Sequence, residues 1–136
     1  MDAEDTYLTR DRLGIYGSAG PGPTVMGAFT LLGNAICNAH GEHLGRIEEL
    51  IINMGSGRVD YVLLSAAQPV SDGDPGLLPV PFAALVLDGD RHCFLLHMTT
   101  DALRQGPWFK TARWPAMDDD GWAQTVHRFF GTSPLA

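Results

Sequence analysis

The sequence has little positive charge, few cysteines and no long hydrophobic run. Lysine and arginine together number 9 against 16 aspartate and glutamate residues, so the 136-residue chain has a formal net charge of -7. A field of this sign repels phosphate groups, and we therefore do not expect nucleic acid to be a partner.

The scarcity of cysteine and of long apolar segments argues against two cellular settings. Two cysteines, Cys37 and Cys93, are too few for a disulfide framework, which suits a reducing compartment. The longest apolar run covers residues 77–87 and is interrupted by prolines, whereas a membrane-spanning helix needs about 20 apolar residues. Residues 1–12 are acidic and lack the apolar middle of a signal peptide. We expect a cytoplasmic protein with no membrane span.

The residues that are present predict one globular domain. Hydrophobic residues make up 45% of the chain, enough for a single core at this length. Glycine and proline are concentrated in residues 14–23, so we expect a flexible lead-in over residues 1–23. The domain should then cover residues 24–131 and leave a short tail at residues 132–136.

Alternating apolar residues and tight-turn signals predict about six short β-strands. The first two should form a hairpin that turns at His40 and Gly41, and the third should complete a meander. The alternation in the second strand slips once at Glu48 and Glu49, which predicts a bulge or a sharp bend. The predicted strand regions are 30–38, 44–53, 59–65, two within 77–87 that are separated by a corner, and 92–98.

The third predicted strand is apolar on both faces. Tyr61 and Leu63 lie on one face, while Val62 and Leu64 lie on the other. Neither face resembles a solvated one, so we expect apolar groups to cover both.

Helix signals occur only near the C-terminus. Thr99 or Thr100 can cap a short helix that ends before Gly106. Three aspartates at 118–120 precede a second helix, and Gly131 is placed to end it. One face of that helix carries an apolar stripe of Trp122, Val126, Phe129 and Phe130. The whole pattern predicts a mainly β fold, a small barrel or sandwich with a short helix and a C-terminal amphipathic helix.

Three segments in combination carry a family resemblance: GEHLGRIEEL at 41–50, SGRVDYVLLS at 56–65 and PVPFAALVLD at 79–88. Together they resemble the PRC-barrel family, which is named after the cytoplasmic domain of the photosynthetic reaction centre H subunit. The later segments resemble small stand-alone bacterial members, so the resemblance runs from Thr24 to Gly131. It implies a small PRC-type β-barrel and a non-catalytic module that binds other proteins, in a photosynthetic complex or on a ribosomal protein.

No catalytic constellation is visible in the sequence. A nucleophile elbow, a phosphate-binding loop and a dinucleotide fingerprint are all missing, so we predict no catalytic residues, no enzymatic activity and no cofactor. A hydrolase or redox function would need a reactive thiol at Cys37 or Cys93 and is the weakest alternative.

One group of possible metal ligands occurs in the first predicted hairpin. Cys37, His40 and His43 form C-x2-H-x2-H, but no fourth ligand is evident. We expect both histidines to face solvent while the cysteine packs within the strand. A metal site or a small-ligand pocket at this hairpin, or a pocket near Trp108, is the alternative to a protein-interaction module.

Aromatic residues are concentrated near the C-terminus, as at many protein contacts. We predict a non-enzymatic interaction module that self-associates as a homodimer and acts as an adaptor or regulatory binding protein. Another protein is a further candidate partner, through the acidic segment 66–76. The candidate surface residues are Tyr61, Leu63, Trp108, Trp114, Trp122, Phe129 and Phe130.

Overall fold

A computed structural model describes residues 25–67, 76–89 and 93–134 of the chain. The strands in these ranges are β1 (Ala35–Cys37), β2 (His43–Ile52), β3 (Val59–Ala66), β4 (Leu78–Pro81), β5 (Leu85–Asp88) and β6 (Cys93–Leu96). They form one curled half-barrel sheet in the order β4-β3-β2-β1-β6-β5. Neighbouring strands are antiparallel, except that β1 and β6 are parallel.

The helical elements in these described ranges are short, apart from the last. They are α1 (Ala28–Leu31), a 3₁₀ turn (Phe82–Ala84), α2 (Thr100–Arg104) and α3 (Asp120–Phe130). The predicted mainly β fold with a short helix and a C-terminal helix is confirmed. In the described parts of the chain, no helix combines the length and the apolar character needed to cross a membrane.

The prediction of a strand over residues 30–38 is wrong for its first half. The chain forms α1 there, and β1 begins only at Ala35. Gly33 has a φ of 86°, a left-handed conformation that favours glycine. Asn34 donates from its side-chain amide to two carbonyls near the end of α1, at 3.0 Å each. These local bonds turn the chain before the strand starts, and apolar periodicity does not reveal them.

The predicted bulge in β2 is confirmed. Ile47 pairs with Leu64 and Glu49 pairs with Leu63, so Glu48 is an extra residue on β2. An extra residue increases the local twist of a strand. The bulge therefore allows β2 to remain paired with β3 while the sheet curls.

The predicted corner between two strands is also confirmed, because the 3₁₀ turn separates β4 from β5. These two strands are the ends of the sheet order. β4 contains Pro79 and Pro81, which have no N–H to donate to a further strand.

Both faces of β3 are buried, as its sequence predicts. Val62 and Leu64 belong to the main core, whereas Tyr61 lies on the opposite face and packs against α3. The main core also contains Ile36, Leu44, Ile47, Leu78, Val80, Phe94, Leu96 and Leu103. The second apolar cover that β3 requires is therefore supplied by the chain itself.

Helix α3 begins and ends where the sequence indicates. The Asp119 side chain accepts a hydrogen bond from the Trp122 backbone N–H at 2.9 Å, and Gly131 closes the helix with a φ of 71°. Val126 is completely buried, which contributes about 1.5–3 kcal/mol to stability. The helix is thus defined by its own ends and held on the sheet by its apolar face.

Candidate ligand-binding cavity

A cavity of about 540 Å³ lies where the β2–β3 turn, the 3₁₀ turn and the start of α3 meet. This volume is within the usual range for small-ligand sites. The residues that line the cavity are Asn53, Arg58, Val59, Asp60, Tyr61, Pro81, Phe82, Ala83, Met117, Asp118, Asp119, Asp120, Ala123, His127 and Pro134.

The β2–β3 turn places the charged residues of one wall. Asn53 organises this turn: its side-chain oxygen accepts from two turn amides at 2.9 and 3.0 Å, and its backbone N–H donates to the Arg58 carbonyl at 2.8 Å. Gly57 completes the turn with a φ of 78°. Arg58 therefore enters the cavity wall from a turn that local hydrogen bonds define, and Asp60 enters it from the start of β3.

Two buried polar side chains form the floor. Tyr61 is only 5% exposed and His127 only 6%, and their ring centroids are 5.6 Å apart. The His127 Nδ1 lies 2.7 Å from the Thr132 hydroxyl oxygen, which fixes the ring orientation. Among the described residues, the Tyr61 hydroxyl and the His127 Nε2 have no hydrogen-bond partner.

Burial and one carboxylate shift the acid–base behaviour of this floor. Burial raises the pKa of the Tyr61 phenol, and the negative charge of Asp60 raises it further. Burial lowers the pKa of His127, although the Asp60 charge opposes this change. At neutral pH the floor therefore presents a protonated phenol and a neutral imidazole.

The cavity wall is acidic. Asp60 and the three aspartates at 118–120 contribute four carboxylates, against the single guanidinium of Arg58. Asp119 caps α3, whereas the other three carboxylates make no hydrogen bond or ion pair to any described residue. This charge pattern attracts cations and repels anions.

The structure separates the predicted surface residues into two groups. Tyr61 and Leu63 are buried within the chain, because core packing and α3 cover β3, and of the two only Tyr61 reaches the cavity. Trp122, Phe129 and Phe130 are half-buried on α3. Only Trp114 is a largely exposed tryptophan, at 51%.

The region near Trp108 leaves little space for a ligand. The Trp108 indole N–H donates to the Leu103 carbonyl at 2.9 Å, and the ring is half-buried. The adjacent cavity has a volume of only about 30 Å³, roughly that of one water molecule in the liquid. The small-ligand alternative is therefore better accommodated by the cavity at the start of α3.

The first hairpin does not bring its predicted ligands together into a metal centre. His40 and His43 are exposed, and Cys37 is half-buried. Across residues 25–67, 76–89 and 93–134, no group of three or more His, Cys, Asp or Glu side chains is arranged to hold a metal ion. A pocket of about 240 Å³ at this end includes His40 and His97, but not Cys37 or His43.

Sequence reasoning missed two of the residues that line the large cavity, Asp60 and His127. Asp60 looks like an ordinary polar residue at the start of a strand, and His127 lies at the border of the apolar stripe on α3. The position of His127 beside this stripe is the one sequence signal that could have indicated a buried polar side chain. The acidic segment 66–76, another predicted contact, lies mostly outside the described residues.

Comparison with known proteins identifies the family. The family model for the PRC-barrel domain matches residues 23–94, which is more than half of the chain. Among curated proteins no relative matches. A PRC-barrel domain indicates a small binding or interaction module, and such domains are generally non-catalytic. The six-strand sheet and the matched residues agree, and this chain belongs to the PRC-barrel domain family.

Proposed function

We propose that this chain is a non-enzymatic adaptor that self-associates along β5 and binds a second protein through an exposed tryptophan. The observation that carries the proposal is the difference between the two ends of the sheet. We also propose a cytoplasmic location, because the sequence contains only two cysteines and suits a reducing compartment.

Strand β5 is the end of the sheet that can accept another strand. Within the described ranges it pairs only with β6, and its central residue Val86 is 54% exposed. The opposite end is β4, whose four residues are all buried and include Pro79 and Pro81. Exposed edge strands recruit further strands, whereas proline prevents this recruitment.

A second copy fits β5 by symmetry. In the proposed dimer, two β5 strands run antiparallel about a two-fold axis at Val86, so that each Val86 lies opposite the partner's Val86. Each Asp88 then lies four residue positions along the strand from Asp88 of the partner subunit, so the two acidic side chains are about 13 Å apart. This separation exceeds the Debye length of about 8 Å at physiological salt, and their repulsion is weak.

Trp114 provides the second surface that an adaptor needs. Its indole N–H donates to the Thr111 carbonyl at 2.9 Å, and its ring packs edge-on against Phe109 with centroids 5.5 Å apart. Phe109 is in turn held by two backbone hydrogen bonds to Leu77, at 2.8 and 2.9 Å. An exposed aromatic ring that is already immobilised loses little entropy on binding, which is typical of interface anchors.

Sedimentation velocity over a series of protein concentrations tests self-association. We expect a reversible monomer–dimer equilibrium, and we expect Val86→Lys to weaken dimerisation by about tenfold or more, because a lysine at an edge strand opposes pairing. Met54→Lys is the matched control: Met54 is 88% exposed, and the substitution makes the same charge change in the β2–β3 turn.

A monomer at every concentration overturns the self-association proposal. Equal dimerisation of Val86→Lys and the wild type overturns the assignment to β5. A dimer weakened by Val86→Lys and unaffected by Met54→Lys supports it.

A further inference from the structure

The cavity at the start of α3 contains charge that the fold itself does not neutralise. The carboxylates of Asp60, Asp118 and Asp120 all line it and make no hydrogen bond or ion pair to a described residue. The guanidinium of Arg58 also lines it and makes no ion pair within the described residues. An excess of unpaired carboxylates around a half-open cavity favours a ligand that brings positive charge.

A second, independent observation comes from the floor of the cavity. The Tyr61 hydroxyl and the His127 Nε2 belong to side chains more than nine-tenths buried, yet neither atom has a partner among the described residues. Neither atom is fully enclosed by protein, so both atoms reach open space. The open space that Tyr61 and His127 share is this cavity. Buried polar groups that lack a protein partner commonly bind water or a ligand.

We propose that this cavity binds a cationic nitrogen group, an ammonium or guanidinium, carried by a small organic amine or by a basic side chain of a partner protein. Asp60 supplies the counter-charge, and the Tyr61 hydroxyl oxygen and the His127 Nε2 accept hydrogen bonds from the cation's N–H groups. The half-buried ring of Phe82 adds an aromatic face of the kind that attracts cations.

The same lining disfavours other ligand classes. Four carboxylates against one guanidinium repel phosphates and other anions. Metal coordination requires at least three converging ligands, and the described residues contain no such group. An organic cation needs only one close carboxylate together with hydrogen-bond acceptors, which is what this site offers.

Arg58 allows a test of whether the bound ligand is positively charged. Its guanidinium shares the cavity wall with the carboxylates and therefore repels a bound cation. Its removal makes the site more negative. Arg58→Gln should consequently strengthen cation binding. If binding depended instead on packing against Arg58, the same substitution would weaken it.

The experiment is isothermal titration calorimetry of the full chain with three probes. They are agmatine, a capped Ala-Arg-Ala peptide, and the matching peptide with neutral citrulline in place of arginine. We expect agmatine or the arginine peptide to bind and the citrulline peptide to bind at least about tenfold more weakly. Preference for agmatine identifies a free amine as the source, and preference for the peptide identifies a partner's side chain.

Substitutions locate the binding. We expect Asp60→Asn to weaken it about tenfold, Tyr61→Phe to weaken it severalfold by removing only the hydroxyl, and Arg58→Gln to strengthen it. Glu48→Gln, an exposed site outside the cavity, should have no effect. Asp120→Asn is a second variant that removes a cavity carboxylate. Because Asp120 is exposed, we expect this variant to fold even if Asp60→Asn does not.

The proposal is overturned if neither cationic probe binds, if the citrulline peptide binds as tightly as the arginine peptide, or if both acidic variants bind like the wild type. Because β5 does not line this cavity, failure here leaves self-association intact, and a monomeric protein can still bind a cation.

Discussion

At the scale of single residues, two positions show how closely the structure depends on side-chain size and charge. Gly45 is one: a Cβ added there would overlap the carbonyl oxygen of Ser65, so β2 and β3 approach each other this closely only with glycine. His127 is the other, because its imidazole, on the sheet-facing side of α3, is buried beside Tyr61. Its lowered pKa links the protein's stability to pH.

We predict that the free energy of unfolding decreases as the pH falls below about 6.5. Burial lowers the pKa of His127 below its ordinary 6.5, so the unfolded chain binds the proton at a higher pH than the folded chain. The stability that neutral His127 contributes is complete above pH 6.5 and is lost as the pH falls towards its folded pKa.

Urea unfolding at a series of pH values measures this effect. His127→Gln should reduce the slope of unfolding free energy against pH in this window, whatever its effect on absolute stability. His97→Gln, at an exposed position, is the control and should retain the wild-type slope. Parallel slopes for the wild type and His127→Gln would contradict the account.

At the scale of secondary-structure elements, α3 has the largest consequences, because it covers Tyr61 and forms one wall of the cavity. The family match ends at residue 94, so this helix lies beyond it. We propose that α3 is nevertheless part of the same domain, since Val126 and His127 are buried against the sheet.

We predict that Asp119→Ala destabilises the protein by about 1 kcal/mol, because it removes the oxygen that accepts from the Trp122 N–H. Asp118→Ala is the matched control. Asp118 is the neighbour of the capping residue but does not itself cap the helix, so its removal should change stability little. Chemical denaturation of both variants measures the difference. Equal stability losses would show that charge, and not the cap, explains the effect.

Sequence predicted the elements whose signals are local. The ends of α3 followed from aspartate and glycine, and the bulge in β2 followed from the slip at Glu48. Helix α1 was missed because Gly33 and Asn34 define it through turn geometry and through a hydrogen bond from Gly33 to the distant Ile47 carbonyl at 2.6 Å. Apolar alternation carries no information about such bonds.

The candidate site was less predictable from the sequence, because it forms only when α3 packs against the sheet. Asp60 and His127 are far apart in the sequence and meet only when α3 packs against β3. Conversely, Tyr61 and Leu63 were predicted as surface residues because the strand is apolar on both faces, and the chain covers that second face itself. A pattern of apolar residues shows that a cover is needed, but it does not show which segment supplies it.

At the scale of the whole molecule, the proposed contacts lie on separate surfaces. The exposed end of the sheet is β5, the opposite end is closed by proline-containing β4, and the acidic cavity lies beside α3. The net charge of -7 opposes association of two copies in general, so self-association needs a local backbone interaction such as strand pairing. Contact surfaces, and not reactive groups, are the functional parts in this account.

Hydrogen–deuterium exchange of the wild-type chain at dilute and at concentrated protein tests this central claim most directly. The account predicts that the backbone amides of Leu85–Leu87 gain protection as the protein concentration rises, while those of Met117–Asp120 are unchanged. Concentration-independent exchange throughout the chain, or added protection that excludes β5, would contradict it.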